Sequence, residues 1–388
     1  MSAATEPPVQ PATAGDDLDA LLRSATRALD GAGVVLTTSG STGQPKRVAL
    51  TAGALRASAA ATAERVGGHG RWLLALPTDH VAGWQVVVRS ALAGTVPIRL
   101  DGPFTVGAFT TASARLGGGP RLVSLVPTQL LRLVEDPAGL AALADFDAVL
   151  VGGAALPAPL LRRAETAGVR IHRTYGMTET AGGCVYDGTP LTGVEVRLDE
   201  GRVLLGGPVL ASGYLDDPAL TAERFTTDAD GRRWFRTDDI GELDDGRLRL
   251  LGRADDVINT GGLKVAPRPV EDALLGLTGV REALVLGVPD PEWGQRVAAV
   301  LVGHGRTDDR GPSGASSSAD DQVTATRPGT SAIRELLRDA LPAQALPRQV
   351  VWLDALPLLA SGKPDRVALR TMCAGGSGTM GSHRGSAS

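Results

Sequence analysis

The sequence predicts an α/β protein, in which a large N-terminal α/β domain with a β-rich subdomain precedes a small α+β C-terminal domain. Three observations support this prediction. A hydrophobic fraction of 43% with 21% charged residues, over 388 residues, is typical of a globular chain of two or three domains. Strand-like and helix-like segments alternate through the first half. After residue 190, short strands with Gly and Asp turns dominate, and helices return after Gly252.

The N-terminal half consists of repeated strand and helix segments. Residues 34–38 and 47–50 are short β-rich runs, and Thr51 can cap a helix over residues 52–65 because its hydroxyl can accept a backbone N–H. Strand-like and helix-like segments then alternate at residues 121–126, 128–136, 148–153 and 157–168. Beyond Gly252, the segments REALVLGVPD and AAVLVG are strand-like and are flanked by helix-like sequence.

Composition sets the expected domain limits. Residues 1–16 are rich in Pro, Ala and Thr, and polar low-complexity sequence recurs at 303–330 and 371–388. We predict that all three segments are disordered and that the middle one is a surface loop inside a domain. With a boundary near Arg253, the expected domains are residues 17–252 and 257–370.

Charge and hydropathy exclude several classes of protein. With 39 basic and 43 acidic residues the formal charge is −4, so no basic surface for nucleic acid is expected. No apolar run approaches about 20 residues and the start lacks a basic and apolar leader, so we expect a cytoplasmic protein without a membrane span. Cys184 and Cys373 are too few for a disulfide framework or a Cys-rich metal site, which fits a reducing compartment.

The first candidate site is the run TTSGSTGQPKR, residues 37–47. The chain contains only three lysines, and one of them, Lys46, lies near the end of this run. Amides and hydroxyls of such a loop can surround phosphate oxygens, while the lysine adds a point charge. The spacing differs from the Walker pattern GxxxxGK[ST]. The alternative is a flexible Ser/Gly hairpin that binds nothing.

The second candidate site is RTYGMTET, residues 173–180, after a strand-like segment. Tyr175 is suited to stack on a flat ring, and Glu179 offers an oxygen ligand of the kind that Mg²⁺ prefers. The alternative is that Tyr175 is a packed core ring and Glu179 a solvated charge.

The third run spans residues 234–267. Here Asp239 and Arg253 are suited to hold ribose hydroxyls, and Gly261 and Gly262 permit close approach of the backbone to a ligand. Acidic β-turns are also ordinary turn chemistry, so these aspartates can equally be structural.

The fourth run is LPLLASGKPDR, residues 356–366. Ser-Gly-Lys-Pro on a polar turn usually indicates a surface loop. The run is a candidate site because it contains Lys363, the third lysine of the chain.

Taken in order, the four runs resemble the acyl-adenylate-forming superfamily of acyl-CoA synthetases, adenylation domains and luciferases, over residues 34–369. The segments SLVPTQLLRLV, VLVGGAALP and YGMTETAGGCVYDGTPL are most similar to the actinobacterial o-succinylbenzoate-CoA ligases of menaquinone biosynthesis. This resemblance implies ATP, Mg²⁺ and CoA as cofactors and a reaction in two steps. Carboxylate and ATP would give acyl-AMP and pyrophosphate, and the CoA thiol would then displace AMP.

The resemblance also implies roles for individual residues. Lys363 would bridge the substrate carboxylate and the α-phosphate, where one charge pair at ~4 Å contributes about 4 kcal/mol at an effective dielectric constant of ~20. Thr178 would contact the α-phosphate and Glu179 would bind Mg²⁺. Lys46 and its loop would hold the β- and γ-phosphates, the loop comprising Thr38, Ser39, Gly40, Ser41, Thr42 and Gly43. Adenine would be enclosed by Gly153, Ala154, Ala155, Tyr175 and Gly176.

By the same resemblance, Asp239 and Arg253 would hold the ribose. Family members usually carry glycine where this chain has Asp238, and we choose Asp239 because Gly241 follows it at the expected place.

The resemblance further implies that the small C-terminal domain is mobile. It would rotate between the two half-reactions about a hinge at residues 253–256, with Asp255 as the hinge residue. Rotation would withdraw Lys363 and bring the loop of Gly261, Gly262 and Lys264 to the CoA thiol.

The acyl pocket is assigned from residue chemistry. o-Succinylbenzoate keeps a second carboxylate after activation, so its pocket needs a cation or strong hydrogen-bond donors. Arg132 is the candidate, with Gln129 one turn earlier and with Thr128 and Ser124 as further donors. His80 matches a family position near the acyl group, although a histidine before an apolar helix is more often structural.

Three functions remain open from the sequence. The first is an o-succinylbenzoate-CoA ligase, whose partners are small molecules: an aromatic dicarboxylate, ATP and CoA. The second keeps the chemistry and changes the acid, as in another aryl- or fatty-acyl-CoA synthetase or an adenylation domain that loads a carrier protein. The third is a non-catalytic nucleotide-binding or scaffolding relative. Against it argues the retention of Lys46, Glu179, Asp239, Arg253 and Lys363. The sequence leaves the oligomeric state open, a homodimer included.

Overall fold

The chain folds into two compact units in the computed structural model, which describes residues 8, 17–39, 45–303, 327–358 and 364–375. The units are Met1–Leu250 and Leu251–Ser388. The boundary expected near Arg253 lies close to this division.

The first unit begins with alternating helices and strands and continues with a β-rich part. The alternating elements are α1 Leu18–Arg27, β1 Val34–Ser39, β2 Pro45–Leu50, α2 Ala52–Arg65, β3 Arg71–Leu74, α3 Val81–Leu92, β4 Ile98–Arg99, α4 Val106–Ala114, β5 Arg121–Leu125, α5 Pro127–Glu135, α6 Pro137–Ala144, β6 Ala148–Val151, α7 Ala158–Thr166, β7 Ile171–Met177, β8 Gly182–Tyr186 and β9 Thr189–Pro190. The β-rich elements are β10 Glu195–Asp199, β11 Arg202–Gly206, β12 Gly213–Tyr214, α8 Pro218–Arg224, β13 Phe225–Thr227, β14 Arg233–Asp244 and β15 Arg247–Arg253, the last of which crosses the boundary.

Sequence signals account for several of these elements. The predicted helix over residues 52–65 is α2, and the Thr51 hydroxyl accepts the Ala54 N–H at 3.1 Å, as the cap prediction requires. The strand predicted at 121–126 is β5, and the strand predicted at 148–153 is the shorter β6. Helix α8 was not predicted, because the β-rich interpretation covered its whole region.

A mainly parallel sheet forms the centre of the first unit, with strand order β4-β3-β5-β6-β7-β8-β9. Neighbouring residues of β5 face opposite sides of it. Leu122 joins a core that includes Leu55 of α2 and Val87 of α3, whereas Val123 joins a core that includes Phe109 of α4 and Leu130 of α5. Helices therefore cover both faces of the sheet.

Two smaller sheets complete the first unit. One has the order β1-β2-β12, and the other has the order β10-β11-β14-β13 with β15 paired to β14. The first of these matters for the site, because β12 brings residues from beyond position 212 against the strand that carries Lys46.

The second unit comprises β16 Ile258–Thr260, β17 Leu263–Val265, α9 Pro267–Leu275, β18 Val280–Asp290, β19 Gly294–Gly303, α10 Thr330–Leu336, β20 Gln349–Leu353 and α11 Arg366–Gly375. Its sheet has the order β17-β16-β19-β18, with β20 parallel to β19. Leu301 of β19 packs in a core with Leu274 of α9 and Ile333 of α10, while Val300 packs with Leu369 of α11. The run AAVLVG is continuously apolar because both faces of the strand are covered.

The limits of the predicted C-terminal tail need correction. Residues 371–375 were assigned to a disordered tail, but they complete α11, which ends at Gly375, and Cys373 is fully buried in it. The Cys373 backbone carbonyl accepts hydrogen bonds from Arg296 and Gln349. The composition of the segment concealed one further helical turn.

In the described part of the chain, none of the helices is long and apolar enough to cross a membrane.

Candidate functional site

Glu179 is a buried carboxylate in the 3₁₀ turn Thr178–Thr180, which follows β7 directly. Its side chain is 9% exposed, and Oε1 accepts a hydrogen bond from the Tyr214 hydroxyl at 2.9 Å. Burial raises the pKa of Glu179, while its backbone N–H, the Tyr214 hydroxyl and the charge of Lys46 oppose that rise. The alternative that Glu179 is a solvated surface charge is therefore wrong. Thr178 is buried beside it.

Two helices fix the position of this turn. Ala181 has a φ of 51°, and its carbonyl accepts hydrogen bonds from Ser58 Oγ of α2 and Gln85 Nε2 of α3, both at 2.8 Å. The Thr180 hydroxyl donates to the Gly182 carbonyl at 2.8 Å. These donors lie in the buried core, so they satisfy a turn that departs from regular structure and hold Glu179 in place.

Lys46 lies opposite Thr38 in the antiparallel pair of β1 and β2. The Thr38 hydroxyl donates to the Lys46 carbonyl at 3.5 Å, and the ammonium Nζ lies 5.6 Å from the centroid of the Tyr214 ring. The structure thus brings Lys46 and Glu179 to the same tyrosine. Ser39 ends β1, whereas the other predicted loop residues, Gly40, Ser41, Thr42 and Gly43, lie outside the described residues.

Tyr175 connects the predicted adenine loop to the predicted ribose aspartate. Its hydroxyl donates to Asp239 Oδ2 at 2.7 Å, and its ring packs against the core of the first unit. Burial raises the pKa of Tyr175 and the Asp239 charge adds to the rise, so the hydroxyl stays a donor at neutral pH. At Gly176, a Cβ would lie 2.2 Å from the Gly182 carbonyl oxygen, so a larger residue does not fit there without a shift of the backbone.

The two adjacent aspartates have different partners. Asp238 Oδ1 accepts from Arg224 at 2.5 Å and from Arg202 at 3.3 Å. Asp239 instead accepts from Tyr175. This division supports the choice of Asp239 for the ribose, and its ribose contact stays a prediction.

The predicted adenine residues lie at one edge of the central sheet. Strands β5, β6 and β7 run parallel, so their carboxyl ends meet at the same edge, where crevices for ligands form in α/β sheets. Gly153, Ala154 and Ala155 follow β6 at this edge and are exposed, with Gly153 at a φ of 79°.

In the second unit, Arg253 and Asp255 are joined. Arg253 Nε donates to Asp255 Oδ1 at 3.0 Å, and its Nη2 donates to Oδ2 at 3.3 Å. Gly261 and Gly262 form the two-residue turn between β16 and β17, with φ values of 59° and 79°, and Lys264 is exposed on β17. Lys363 lies outside the described residues, so its role stays a prediction.

The predicted acyl residues are separated by the structure. Ser124 is buried on β5, whereas Thr128 and Arg132 are exposed on α5. Gln129 uses both ends of its amide on the backbone: Oε1 accepts the Val126 N–H, and Nε2 donates to the Ala75 carbonyl, each at 3.1 Å. A structural role for Gln129 is therefore evident.

His80 is exposed and precedes α3 as its N-terminal cap residue. Its Nδ1 lies 2.8 Å from Asp79 Oδ1. The contact with its neighbour Asp79 does not assign a function to the ring. The placement of His80 near the acyl group stays a prediction.

Arg89 of α3 is a residue that the sequence interpretation did not select. It is only 5% exposed, its Nη2 donates to the Thr62 hydroxyl at 3.1 Å, and its guanidinium lies 5.2 Å from the Trp72 ring centroid. Among the described residues, no carboxylate forms an ion pair with it and its Nε has no hydrogen-bond partner. Burial lowers the pKa of Arg89, while its interaction with the Tyr186 hydroxyl opposes that change. The signal in the sequence was an arginine inside the apolar helix VAGWQVVVRSAL.

The donor set fits a magnesium ion that arrives with a nucleotide. Within the part of the chain that is described, no group of three or more His, Cys, Asp or Glu side chains converges on one point. Mg²⁺ is commonly held by one or two carboxylates together with substrate phosphates and water, rather than by a protein cage. The buried carboxylate of Glu179, which contacts the same tyrosine as Lys46, matches that mode.

The chain is similar to known proteins along most of its length. Residues 10–215 match the family described as AMP-binding enzyme, and residues 269–363 match the AMP-binding enzyme C-terminal domain. The probable 2-succinylbenzoate–CoA ligase of Mycobacterium tuberculosis is 44% identical over 370 residues, covering 94% of this chain and 90% of that protein. The 2-succinylbenzoate–CoA ligase of Geobacillus kaustophilus is 32% identical, covering 89% of this chain and 70% of that protein.

Solved structures show the same likeness. The o-succinylbenzoate CoA synthetase of Bacillus subtilis, in complex with the acyl-adenylate intermediate, matches with a TM-score of 0.71 at 28% identity, covering 88% of this chain and 69% of that one. The same synthetase in complex with ATP and magnesium ion matches with a TM-score of 0.69 at 28% identity, covering 88% of this chain and 70% of that one.

Proposed function

Because the chain belongs to the AMP-binding enzyme family, we propose that it is an ATP-dependent acid–thiol ligase for o-succinylbenzoate. It activates the acid as acyl-AMP and transfers the acyl group to CoA. The observation that carries the proposal is the meeting of Glu179 and Lys46 at Tyr214, in a chain 44% identical to a probable ligase of this type.

The proposed site divides the charge of the nucleotide between two groups. Lys46 binds the β- and γ-phosphates, and Glu179 holds the Mg²⁺ that accompanies them. When bound, Mg²⁺ neutralises phosphate charge and favours departure of pyrophosphate. The buried position of Glu179 strengthens its electrostatic interaction with a cation relative to a solvent-exposed carboxylate.

The nucleoside is held at the carboxyl edge of the central sheet. Gly153 leaves open space beside adenine, Tyr175 lies along the base, and Asp239 with Arg253 binds the ribose hydroxyls. The hydrogen bond from Tyr175 to Asp239 supports this part of the proposal, because it fixes the orientation of the carboxylate before the nucleotide binds.

The difficulty of the first step is the approach of an anionic carboxylate to an anionic phosphate. Lys363 is proposed to bridge the two anions, and one charge pair of about 4 kcal/mol corresponds to roughly a thousandfold in rate if it acts mainly in the transition state. We further propose that the C-terminal unit rotates about Asp255, so that the Gly261 to Lys264 turn replaces Lys363 during thioester formation.

For the second carboxylate of the substrate we propose Arg89 rather than Arg132. Arg89 is buried against Thr62, Tyr186 and Trp72 with no carboxylate partner among the described residues, and a substrate carboxylate would supply the opposite charge that these neutral neighbours lack. Arg132 is exposed, so water screens its charge. Arg89 also lies one helical turn after Gln85, which contacts the turn of Glu179.

An acid panel tests the substrate. With ATP, Mg²⁺ and CoA, thioester formation from o-succinylbenzoate is expected to exceed that from benzoate or medium-chain acids. If o-succinylbenzoate gives no thioester while those acids react, the proposed substrate is wrong and the proposed ligase activity still holds. If no acid supports ATP-dependent thioester formation, the activity itself is wrong.

The two arginines are tested by comparing Arg89→Met with Arg132→Leu. Loss of Arg89 is expected to raise the KM for o-succinylbenzoate at least tenfold, with the KM for ATP unchanged. An equal rise in both constants indicates misfolding. A rise confined to Arg132→Leu would instead support the assignment made from the sequence.

A further inference from the structure

Tyr214 lies between the two groups that hold the nucleotide phosphates in the proposed function. Its hydroxyl donates to Glu179 Oε1 at 2.9 Å, and its ring lies 5.6 Å from Lys46 Nζ, within the range of a cation–π interaction. The residue is 6% exposed. It pairs with Val48 in the register of β12 and β2, so the contact with Lys46 follows from the strand pairing.

The backbone around Tyr214 ties the same two elements together. The Ala211 N–H donates to the Glu179 carbonyl, and the Ser212 N–H donates to the Ala49 carbonyl of β2, each at 2.8 Å. Segment 211–215 therefore connects the turn that carries Glu179 with the strand that carries Lys46. The tyrosine side chain connects the same two elements, because it contacts the Glu179 carboxylate and the Lys46 ammonium.

Arg233 holds the start of this segment. Its Nη1 donates to the Ala211 carbonyl at 2.5 Å and its Nη2 to the Ser212 carbonyl at 2.6 Å. Its guanidinium also lies 4.5 Å from the centroid of the Phe225 ring, which packs edge-on against the Tyr214 ring at 5.9 Å. The ring of Tyr214 is thus held by its contact with Phe225 as well as through its backbone.

The chemistry of tyrosine suits both contacts. Its hydroxyl supplies one donor to a carboxylate that burial has removed from water, and its ring face attracts an ammonium without neutralising it. An acidic or basic side chain at this position would neutralise one of the two groups, and an aliphatic one would leave the carboxylate short of a donor.

We propose that Tyr214 is a positioning residue for MgATP: its hydroxyl orients the Glu179 carboxylate and its ring face sets the position of the Lys46 ammonium before the nucleotide binds. This inference rests on the proposed function of Glu179 and Lys46. It does not depend on which acid the enzyme activates.

The test measures ATP binding to the full chain by calorimetry, with Mg²⁺ and with EDTA. Tyr214→Phe keeps the ring and removes the hydroxyl, so the Kd for ATP is expected to rise about tenfold with Mg²⁺ and less than twofold in EDTA. Tyr214→Leu also removes the ring and is expected to weaken binding in both conditions. In steady state, Tyr214→Phe raises the KM for ATP while the KM for the acid stays constant.

A double-mutant cycle separates positioning from general stability. If Tyr214 acts through Glu179, adding Tyr214→Phe to Glu179→Gln causes no further loss of MgATP binding. Trp234→Phe is the matched control, because it also removes one hydrogen-bond donor from a buried aromatic residue, here the 2.7 Å bond to Asp228. This control is expected to leave the Mg²⁺ dependence of ATP binding unchanged.

Several outcomes would overturn the inference. Equal weakening by Tyr214→Phe with Mg²⁺ and in EDTA, or losses that add to those of Glu179→Gln, would reduce Tyr214 to a structural role. If Tyr214→Phe binds MgATP normally and Glu179→Gln binds it weakly, the positioning role of Tyr214 is refuted and the proposed role of Glu179 is not. A wild-type chain that binds no MgATP would refute both this inference and the proposed function.

Discussion

Adjacent acidic residues acquire different roles through their partners. Asp238 is held between Arg202 and Arg224, whereas Asp239 meets the Tyr175 hydroxyl. The arginine bridge through Asp238 therefore leaves Asp239 for a different partner.

We predict that Asp238→Asn lowers the free energy of unfolding by about 1 kcal/mol, because the ion pairs are only partly buried, and leaves the KM for ATP unchanged. Asp239→Asn is expected to have the reverse pattern, a raised KM for ATP and nearly unchanged stability. Urea unfolding and ATP titration of the two variants check this. A larger rise in the KM for ATP in Asp238→Asn than in Asp239→Asn would assign the ribose contact to Asp238 and the structural role to Asp239.

Asp187 is a second carboxylate whose surroundings decide its behaviour. Burial opposes its ionisation, but hydrogen bonds from His172 and the Arg173 backbone N–H, with the charges of both residues, hold the pKa of Asp187 below its ordinary value. Its φ is 54°, a left-handed conformation that asparagine also tolerates. Asp187→Asn therefore removes the charge without straining the backbone.

We predict that Asp187→Asn destabilises the protein at pH 6 by about 1 kcal/mol and that this difference disappears as the pH falls. A folded pKa below the unfolded value of about 3.9 gives stabilisation that is fully present above the unfolded pKa. That stabilisation is lost as the pH falls through the folded pKa. Urea unfolding of both proteins from pH 6 to pH 3 checks the sign, and a difference that grew on acidification would contradict it.

Among the structural elements, the hairpin of β16 and β17 depends most directly on its turn residues. Both Gly261 and Gly262 have positive φ, as a two-residue hairpin turn of this kind requires. They differ in space: a Cβ at Gly261 would lie 2.7 Å from the Trp293 ring, whereas a Cβ at Gly262 would meet nothing within 4 Å. Arg348 stacks on the same ring at 3.9 Å, so Trp293 has little freedom to move.

We predict that Gly261→Ala destabilises the second unit by about 3 kcal/mol, from backbone strain and the clash together, whereas Gly262→Ala costs about 1 kcal/mol from strain alone. Hydrogen exchange of the β16 to β19 amides measures both effects. Gly262→Ala is the matched control, and equal effects of the two substitutions would show that the clash with Trp293 is relieved without cost.

At the scale of the whole molecule, the chain contains separate hydrophobic cores on either side of residue 250. Leu301 of β19 is fully buried in a core of the second unit, and Leu125 of β5 is equally enclosed in a core of the first. Neither cluster contains residues of the other unit.

We predict that Leu301→Ala lowers the stability of the second unit by about 3 kcal/mol through the lost side chain and the cavity it leaves. Amide exchange should then accelerate in the described residues of the second unit and stay unchanged in the described residues of the first. Leu125→Ala is expected to give the reverse pattern. Acceleration across the whole chain by either substitution would show that the two units unfold as one.

Patterns within a few residues were sufficient for much of the fold. The cap at Thr51 predicts α2, and the alternation of strand-like and helix-like segments predicts the central sheet with its flanking helices. Helix α8 was missed because its region was predicted to be β-rich, and the last turn of α11 was missed because its stability comes from burial of Cys373 against the sheet. Burial of this kind depends on distant residues.

The same contrast applies to the site. Motifs in the sequence were sufficient to select Lys46, Glu179, Tyr175 and Asp239 as candidates, and the structure brings them together in two pairs, at Tyr214 and between Tyr175 and Asp239. No local pattern marks Tyr214, which reaches Glu179 through tertiary contacts that include the pairing of β12 with β2. None marks Arg89 either, whose isolation from carboxylates among the described residues is a property of the packed core.

The sequence by itself therefore determined the fold class and the family, and it selected the candidate residues whose roles stay predictions. Only the tertiary structure decided which of two aspartates faces Tyr175, which arginine is buried, and that one tyrosine contacts both Glu179 and Lys46. The physical reason is that backbone propensity and side-chain chemistry are local, whereas burial, charge pairing and strand register arise between residues that are far apart in the chain.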